Sequence, residues 1–580
     1  MARLGIFAGL IFAFAQPFSA NENALKSQET VIYLDNSFSM QAKLDNGTQL
    51  QNMVQEIIRN VPKNNSFTLM TNDKTFEDVE IEDIQNELID LSPSTNQLTL
   101  DQVLLRSATM FANDKESIKR TVLISDFQEI LGPLPIIGQD SEIYFIKQEP
   151  QDLTNVSIDS VYISDSDNEV IELTTLLSSS VNIETHAVSL YNGDRLIAKT
   201  SAAFNDGTTA DVTFSVPANE PIDGRLVIAD MGLPYDNEFY FNVESPKKIK
   251  VLAISDIDTG FLRRIYDPEE FDFTATPLSQ VNYSGIEDFN LMVLNELEAI
   301  PGGLENTIHS FVRNGGSFVV IPAPNSDLVS YNRFASPYFN TKYGQYILQE
   351  AAISNISFEH PLYRNVFNNR VTNFQYPGVN SYYNLNSASQ KALTFQNGNP
   401  FLVGNENSYF FSSALNQENS NFKNSPLIVP TFYNMARNSL KLPKLYQTLG
   451  IYEELEIPVS LSKDHILKIS KDDYEFIPAQ ISQPKKVQLT FDENPTEDGI
   501  FQIINGEETL GKISFNYDRK ESDLRFMDLS QVENDKVFAS ISDFFEDVQK
   551  KNSVNEFWKW FAILALVFVL LESILQRFLK

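Results

Sequence analysis

Three oxygen-bearing side chains occupy every second position directly after a short apolar run at residues 30–34. Residues 30–34 read Thr-Val-Ile-Tyr-Leu, and Asp35, Ser37 and Ser39 come directly after them in the pattern D-x-S-x-S. A continuous apolar run of this kind predicts a parallel strand that is buried on both faces. Open α/β sheets bind ligands at the carboxyl ends of such strands. Since carboxylate and hydroxyl oxygens suit a hard cation, the loop is a candidate Mg²⁺ site.

A second apolar run ends in the same way. Residues 121–124 read Thr-Val-Leu-Ile, and a serine and Asp126 follow them. Two buried strands that both end in Asp, with helices between them, are what a metal site at the top of a doubly wound sheet requires. The pattern between the two runs predicts a helix, a strand and a helix, at residues 49–61, 66–70 and 100–111.

In this context residues 28–150 resemble a von Willebrand factor A domain, a doubly wound parallel sheet. Asp35, Ser37 and Ser39 match the first segment of that family's metal-ion-dependent adhesion site, and Asp126 matches the Asp of its later strand-end segment. The D-x-S-x-S spacing alone is a weak motif, and the alternative is that Asp35 and the serines form a turn and a helix N-cap.

The resemblance also implies a threonine ligand between the two segments, within residues 92–99. Thr99, which opens the following helix, is preferred to Thr95. The chain continues after Asp126 with Phe127 where the family usually has glycine, which leaves the shape of that loop open. In such domains a partner's carboxylate fills the open position of a divalent cation such as Mg²⁺. The implied chemistry is adhesion or assembly rather than turnover.

The middle of the chain has the patterns of a scaffold. Residues 151–246 alternate short strands with Asn/Asp/Gly turns, which predicts an immunoglobulin-like β-sandwich. Residues 247–450 return to an α/β pattern, with β-rich insertions, and resemble the class I glutamine-amidotransferase-like fold. Residues 451–545 predict a last small β-rich domain. The aromatic-rich stretch from about 330 to 445 has two interpretations: insertions that complete the α/β domain, or a carbohydrate-binding face.

Catalysis has little support in the sequence. Active amidotransferase-like proteins use a cysteine nucleophile, and this chain has no cysteine. Glu296 stands where a strand-end nucleophile is sought, without a neighbouring histidine to complete a catalytic pair. The four histidines show no zinc-binding spacing. The net charge of −33 argues against a nucleic-acid partner. We therefore expect a protein that is not an enzyme.

Both ends of the chain carry apolar runs. Residues 1–20 predict either a signal-like segment or part of a membrane helix, because the apolar run from Leu4 to Phe18 is short for a full span. Residues 557–578 predict a transmembrane helix that follows an aromatic belt. Glu572 within it is read as tolerated near the membrane surface. Two anchors place both termini on one side and the acidic body on the other.

The order of these parts resembles the BatA-type aerotolerance-related membrane proteins of Bacteroidetes-like bacteria. In that family the segment Ala-Phe-Ala-Gln-Pro-Phe, here residues 13–18, ends the second of two N-terminal membrane helices, which implies that this chain is truncated at its N-terminus. The resemblance implies an inner-membrane protein with its bulk in the periplasm. Its expected partners are envelope or membrane proteins, including related von Willebrand A membrane proteins and a MoxR-type ATPase system.

Three hypotheses follow. The first is a non-catalytic, membrane-anchored protein that mediates metal-dependent interaction or assembly, related to aerotolerance or stress, with Mg²⁺ held by Asp35, Ser37, Ser39, Thr99 and Asp126. The second is an envelope hydrolase or amidase that uses a carboxylate of the amidotransferase-like domain. The third is a polysaccharide-binding module.

Overall fold

The structure is a computed structural model of the chain with two compact units, residues 1–244 together with 444–580, and residues 245–443. The described residues are 2–19, 26–44, 47–63, 65–112, 117–134, 141–148, 150, 154–166, 169–205, 207–244, 248–364, 366, 376–405, 407–440, 444–461, 465–483, 486–491, 494–552 and 555–578. The domain boundaries expected at 20, 151, 246 and 247 fall outside these residues.

The helices of the described residues are α1 (Ala2–Ala15), α2 (Gln49–Asn60), α3 (Ile81–Ile89), α4 (Leu100–Met110), α5 (Gly260–Ile265), α6 (Gly302–Arg313), α7 (Leu328–Ala335), α8 (Ile428–Asn438), α9 (Ile541–Lys551) and α10 (Trp558–Phe578). The strands of the first 244 residues are β1 (Phe18–Ser19), β2 (Gln28–Leu34), β3 (Lys43–Leu44), β4 (Gly47–Thr48), β5 (Phe67–Met70), β6 (Thr75–Val79), β7 (Ile118–Ser125), β8 (Glu142–Lys147), β9 (Val156–Ser166), β10 (Val170–Ser179), β11 (Thr185–Asn192), β12 (Arg195–Ala203), β13 (Thr209–Pro217), β14 (Ile222–Val227) and β15 (Glu238–Val243).

The strands of the second unit are β16 (Ile249–Ile254), β17 (Phe271–Thr276), β18 (Leu291–Leu297), β19 (Ser317–Pro322), β20 (Lys342–Ile347), β21 (Ala351–Ile356), β22 (Gly378–Val379), β23 (Tyr382–Asn386), β24 (Gln390–Phe395), β25 (Pro400–Asn405) and β26 (Ser408–Phe411). The remaining strands are β27 (Gln447–Thr448), β28 (Glu454–Ile457), β29 (Leu467–Lys471), β30 (Tyr474–Phe476), β31 (Ala479–Ser482), β32 (Val487–Thr490), β33 (Gly499–Asn505), β34 (Glu508–Asn516), β35 (Val537–Phe538) and β36 (Asn555–Glu556).

The first sheet has the order β35-β8-β7-β2-β5-β6, with β6 antiparallel at one edge and the other strands parallel. Consecutive residues of β2 enter different cores: Ile32 packs with residues of α2, α3 and α9, and Tyr33 packs on the opposite face with residues of α4. This double burial explains why the apolar run at 30–34 is continuous. The predicted doubly wound arrangement of strands and helices is present here.

Two antiparallel sheets follow, with the orders β13-β10-β9 and β12-β11-β14-β15. Strand β13 alternates exposed and buried residues along its whole length, which is the pattern of a strand with one face toward a core. The buried residues of both sheets form one hydrophobic cluster. The segment is therefore a two-sheet β-sandwich that joins the first sheet in the same compact unit.

Residues 447–516 form two more small sheets, β27-β34-β33-β29-β30 and β28-β32-β31, around a core of their own. The chain then returns to the first sheet. Strand β35 pairs in parallel with β8, Val537 opposite Phe145, and Ile541 and Phe544 of α9 lie in the core beneath β2. The sequence predicts one β-rich domain at residues 451–545. In the structure, β35 is instead the edge strand of the first sheet, and apolar residues of α9 fill part of the core beneath that sheet.

The second unit is built on a nine-stranded sheet, β17-β16-β18-β19-β26-β25-β24-β21-β22. The first five strands are parallel and the others antiparallel. Helices α5 and α8 contribute to the core on one face, and α6 and α7 contribute to the core on the other. An α/β unit with β-rich additions is what the sequence predicted for this part.

The aromatic-rich stretch of residues 330–445 completes this core. Tyr331, Phe401 and Phe432 are among its fully buried residues. Among its described aromatic residues, Phe339 is the one with an exposed ring. A sugar-binding face needs several exposed rings, so the burial favours the interpretation of these residues as part of the α/β domain.

The two terminal helices pack against each other in antiparallel orientation. The Arg3 guanidinium Nε lies 2.6 Å from a carboxylate oxygen of Glu572, and the rings of Phe12 and Phe561 are stacked 5.2 Å apart. A Cβ atom on Gly9 would lie 3.0 Å from the Cβ of Ala565, so the glycine permits close approach of the helices. Glu572 thus has an ion-pair partner, which the sequence interpretation of a merely tolerated carboxylate missed.

One helix of the described chain, over residues Trp558–Arg577, is long and apolar enough to cross a membrane, with a mean hydropathy of 2.0. Residues Arg3–Ala15 form a shorter apolar helix. Beyond the helices, β1 and β36 pair in antiparallel fashion, Phe18 opposite Glu556. The C-terminal helix therefore has the length and composition that a membrane anchor needs, and the N-terminal helix is packed along it.

The helix pair yields a first prediction. The absence of cysteine makes the double variant F12C/F561C a clean reporter, since the two rings stack in the native chain. In membranes, an oxidant should join the two cysteines and protect both from a maleimide reagent. Adding Gly9→Leu should reduce this protection severalfold because the leucine separates the helices.

Ala15→Leu is the matched control, because Ala15 is exposed on the same helix, and it should leave the protection unchanged. Equal protection in the Gly9→Leu and Ala15→Leu backgrounds would contradict the helix pairing.

Candidate functional site

The D-x-S-x-S loop lies at the carboxyl end of β2 and is completely buried. Asp35, Ser37 and Ser39 each have 0% of their surface exposed. The N–H of Asp35 donates to the carbonyl of Ile124 at 2.9 Å, and the N–H of Ser37 donates to Asp35 Oδ1 at 2.9 Å. These bonds turn the chain sharply at the strand end and bring the Ser37 and Ser39 hydroxyl oxygens within 3.1 Å of each other.

The second strand end, at β7, lies directly beside this loop. The Ser125 hydroxyl donates to Asp35 Oδ2 at 2.7 Å, and Asp126 is buried. Asp126 Oδ1 accepts the N–H of Gln128 at 3.3 Å, whereas its Oδ2 has no hydrogen-bond partner in the described structure. Four of the five predicted site residues, Asp35, Ser37, Ser39 and Asp126, are therefore together at the carboxyl edge of the sheet.

The loop after Asp126 keeps a glycine-like backbone with a phenylalanine. Phe127 has a φ of 56°, in the left-handed region that disfavours a side chain. Its ring is fully buried and lies 5.6 Å from the ring of Phe145. Burial of the ring offsets the backbone strain, so the departure from glycine in the sequence leaves a glycine-type conformation in place.

Burial of Asp126, and next the negative charge of Asp35, raise the pKa of the Asp126 carboxyl to about 7. A carboxylate without a cation or sufficient hydrogen bonds is costly to bury, so it retains its proton to a higher pH. Near neutral pH the Asp126 carboxyl is therefore partly protonated in the folded chain.

Thr99 lies elsewhere. It is exposed and caps the N-terminus of α4, where its hydroxyl accepts the N–H of Gln102 at 3.4 Å. Thr95 is exposed as well. The polar side chain that reaches the loop from this direction is Asn72, whose Nδ2 donates to Asp35 Oδ1 at 3.1 Å. The family resemblance implies a threonine ligand at this position, whereas this chain uses Thr99 as the N-cap of α4.

A further carboxylate reaches the loop from the far end of the chain. Oε2 of Glu521 accepts the N–H of Ser39 at 2.9 Å, and Glu521 is buried. Burial raises the pKa of the Glu521 carboxyl to about 8, and the charges of Asp35 and Asp126 add to the effect. Sequence reasoning missed Glu521 because 482 positions separate it from Ser39 and it stands in no motif.

The donor types at this edge fit a hard divalent cation. The edge holds the carboxylates of Asp35 and Asp126, the latter with an unpartnered Oδ2, and the hydroxyls of Ser37 and Ser39, and such oxygens are the ligands of Mg²⁺. In the part of the chain that the structure describes, no three His, Cys, Asp or Glu side chains form a ready-made metal cluster. A cation here therefore depends on the hydroxyls as well as the carboxylates.

Glu296 lies in the second unit, at a left-handed position at the end of β18, with a φ of 50°. Its Oε1 accepts the N–H of Leu415 at 3.0 Å and its Oε2 accepts Nδ2 of Asn416 at 2.7 Å. Both oxygens thus hold a loop in place. These bonds assign the side chain a structural role, although the strained backbone is where strand-end active-site residues are often found.

No family model matches the chain, and no curated protein sequence matches it. Solved structures resemble it in part. A ThuA-like protein from Bacteroides uniformis ATCC 8492 is 12% identical with a TM-score of 0.28, over 34% of this chain and 94% of that chain. BatB from Bacteroides thetaiotaomicron is 13% identical with a TM-score of 0.17, over 24% of this chain and 72% of that chain.

A β-galactosidase from the psychrophilic Marinomonas ef1 is 11% identical with a TM-score of 0.23, over 43% of this chain and 38% of that chain. These low scores describe partial likeness and establish neither a family nor an activity.

The raised pKa of Asp126 gives a second prediction. The pKa of the Asp126 carboxyl rises from its usual value of 3.8 to about 7 on folding, so between these pH values the folded chain holds a proton that the unfolded chain releases. Stability therefore falls as pH rises through this window. In EDTA at pH 8, Asp126→Asn should have a free energy of unfolding higher than that of the wild type by about 1–4 kcal/mol, and should therefore unfold at a higher temperature.

The difference should shrink as the pH falls and vanish only near pH 4, because below about 3.8 the carboxyl is protonated in the unfolded wild type as well as in the folded one. Thermal unfolding of the full-length protein in detergent, followed at both pH values, measures the difference. A variant that is less stable than the wild type at pH 8 would contradict the uncompensated charge at Asp126.

Proposed function

We propose that the chain is a membrane-anchored, non-catalytic envelope protein that mediates metal-dependent protein–protein interaction or assembly. The observation that carries the proposal is the meeting of Asp35, Ser37, Ser39 and Asp126 at one sheet edge with an unpartnered carboxylate oxygen. The proposal includes the von Willebrand A assignment of the first sheet and Mg²⁺ as its cation.

The finer assignment rests on the resemblance to BatA-type proteins. It places the protein in the inner membrane, with its bulk in the periplasm, and gives it other envelope proteins, related von Willebrand A membrane proteins and a MoxR-type ATPase system as partners. The apolar helix α10 and its packed neighbour α1 supply the anchor that this role needs.

In this role Mg²⁺ supplies a positive charge that pairs with carboxylate oxygens. The protein's own residues prepare the place for it. Asn72 and Ser125 orient the Asp35 carboxylate through hydrogen bonds to its two oxygens. Asp126 keeps Oδ2 free of protein donors. No step at this site breaks a covalent bond, so the proposed output is binding.

The hydrolase alternative receives less support. Glu296 lies at a strained position, but both of its oxygens are engaged by Leu415 and Asn416. A general base needs a free oxygen within reach of a substrate proton. The chain also has no cysteine to act as nucleophile.

The proposal gives a third prediction. The full-length protein should bind Mg²⁺ in calorimetric titration at pH 8. Asp126→Asn should weaken this affinity at least about tenfold, because it removes the unpartnered anionic oxygen.

Asp236→Asn is the matched control. Asp236 is also buried, with a pKa raised to about 7 mainly by burial, and its Oδ2 accepts Nδ2 of Asn155 rather than a group of the loop. This variant should keep the wild-type Mg²⁺ affinity. Wild-type protein that binds no Mg²⁺, or equal affinity in Asp126→Asn, would refute the metal site.

A further inference from the structure

The candidate cation site is closed by the chain itself. The aromatic ring of Phe38, in the middle of the loop, stacks on Tyr235 at 4.5 Å and contacts Tyr517 at 4.5 Å between ring centroids. Asp35, Ser37 and Ser39 beside it have no exposed surface. A carboxylate of another protein therefore meets a covered site in this conformation.

The segment that covers the loop, residues 519–527, is hydrogen-bonded to the residues that follow Asp126. Nε2 of Gln128 donates to the carbonyls of Glu521 at 3.0 Å and Asp523 at 3.3 Å. The N–H of Met527 donates to the carbonyl of Phe127 at 2.8 Å. These bonds connect the segment to the strand-end loop that carries Asp126.

The start of the same segment is fixed to the β-sandwich. The Arg519 guanidinium donates to the carbonyls of Ile158 at 2.9 Å, Tyr235 at 3.2 Å and Glu238 at 2.6 Å. Glu521 follows two residues later and accepts the N–H of Ser39. Its carboxylate is thus placed at the loop by contacts with two neighbouring parts of the unit.

Charge supplies the reason for a ligand at this position. Asp35, Asp126 and Glu521 are all buried, and Oδ2 of Asp126 has no hydrogen-bond partner in the described structure. Among the described residues none forms an ion pair with these three carboxylates. Buried carboxylates are normally compensated by a cation or a metal.

We infer that Glu521 becomes the site's own carboxylate ligand when a cation binds: it already lies against the loop through the Ser39 N–H, although the described carboxylates do not form a ready-made metal cluster. Glu521 then occupies the coordination position that a partner's carboxylate fills in an open site. The bound cation thereby links the first sheet to residues 519–527. This inference rests on the metal site proposed above. It adds that a partner's carboxylate reaches the cation only after Glu521 has left, so release of this segment regulates binding.

The test uses the full-length protein, Mg²⁺ as probe and the isosteric variant Glu521→Gln. In the wild type, Mg²⁺ should slow amide hydrogen exchange in residues 519–527 and raise the unfolding temperature. In Glu521→Gln the Mg²⁺ affinity should fall about tenfold and the slowing of exchange should be lost. Asp523→Asn, an exposed carboxylate on the same segment that pairs with Arg525, should behave as the wild type.

Rescue by a small carboxylate separates a ligand from a structural residue. In Glu521→Ala, added acetate should restore Mg²⁺ affinity, whereas acetate should not change the affinity of the wild type. A purely structural role for Glu521 predicts no rescue, and that result would overturn the inference.

The outcomes also separate the two proposals. Wild-type Mg²⁺ affinity and wild-type exchange in Glu521→Gln, with affinity lost in Asp126→Asn, would overturn the internal ligand and leave the metal site standing. No Mg²⁺ binding by the wild type would overturn both.

Discussion

Burial of like charges at the carboxyl edge of the first sheet is the constraint on which the surrounding structure depends. Asp35 is stabilised by the hydroxyl of Ser125 and the amide of Asn72, whereas Asp126 has an oxygen without a donor. The third carboxylate, Glu521, is held against the same loop by the N–H of Ser39. When no cation is bound, hydrophobic packing around Phe38 must offset the unfavourable electrostatic free energy of burying these three carboxylates together.

That offset comes from parts of the chain far apart in sequence. The β-sandwich contributes Tyr235. The C-terminal module, which comprises residues 447–517 with their pair of small sheets, contributes Tyr517, and both rings pack on Phe38. The residues that precede α10 then complete the first sheet with β35 and α9. The first unit is therefore one interdependent assembly of α/β layer, sandwich and C-terminal module around a single polar loop.

The sequence predicted the elements whose information is local. The apolar run at 30–34 identified a strand buried on both faces, and Asp35, Ser37, Ser39 and Asp126 followed from strand-end positions on neighbouring strands. The α/β pattern after residue 247 was also readable from alternation of apolar runs and helix-stop glycines. These features depend on periodicity over ten to twenty residues, which one sequence displays directly.

Features that depend on long-range contacts were not predictable in this way. Glu521 carries no motif, and its role arises only when residues 519–527 fold back onto the loop. Strand β35 is two residues long and has no recognisable strand pattern of its own. The choice of Thr99 was an inference from resemblance, and local capping with Gln102 determined its actual place. The burial of Glu296 oxygens likewise depends on Leu415, more than a hundred residues away.

The closure of the first sheet by β35 and α9 has a consequence for biogenesis. Chains emerge from the ribosome N-terminus first, and domains generally fold as units during synthesis. Here the edge of β8 and part of the core under β2 stay uncovered until residues 537–551 have been made. The first sheet is thus completed only after the sandwich and the second unit have been translated, and its exposed strand edge needs protection from other chains throughout that interval.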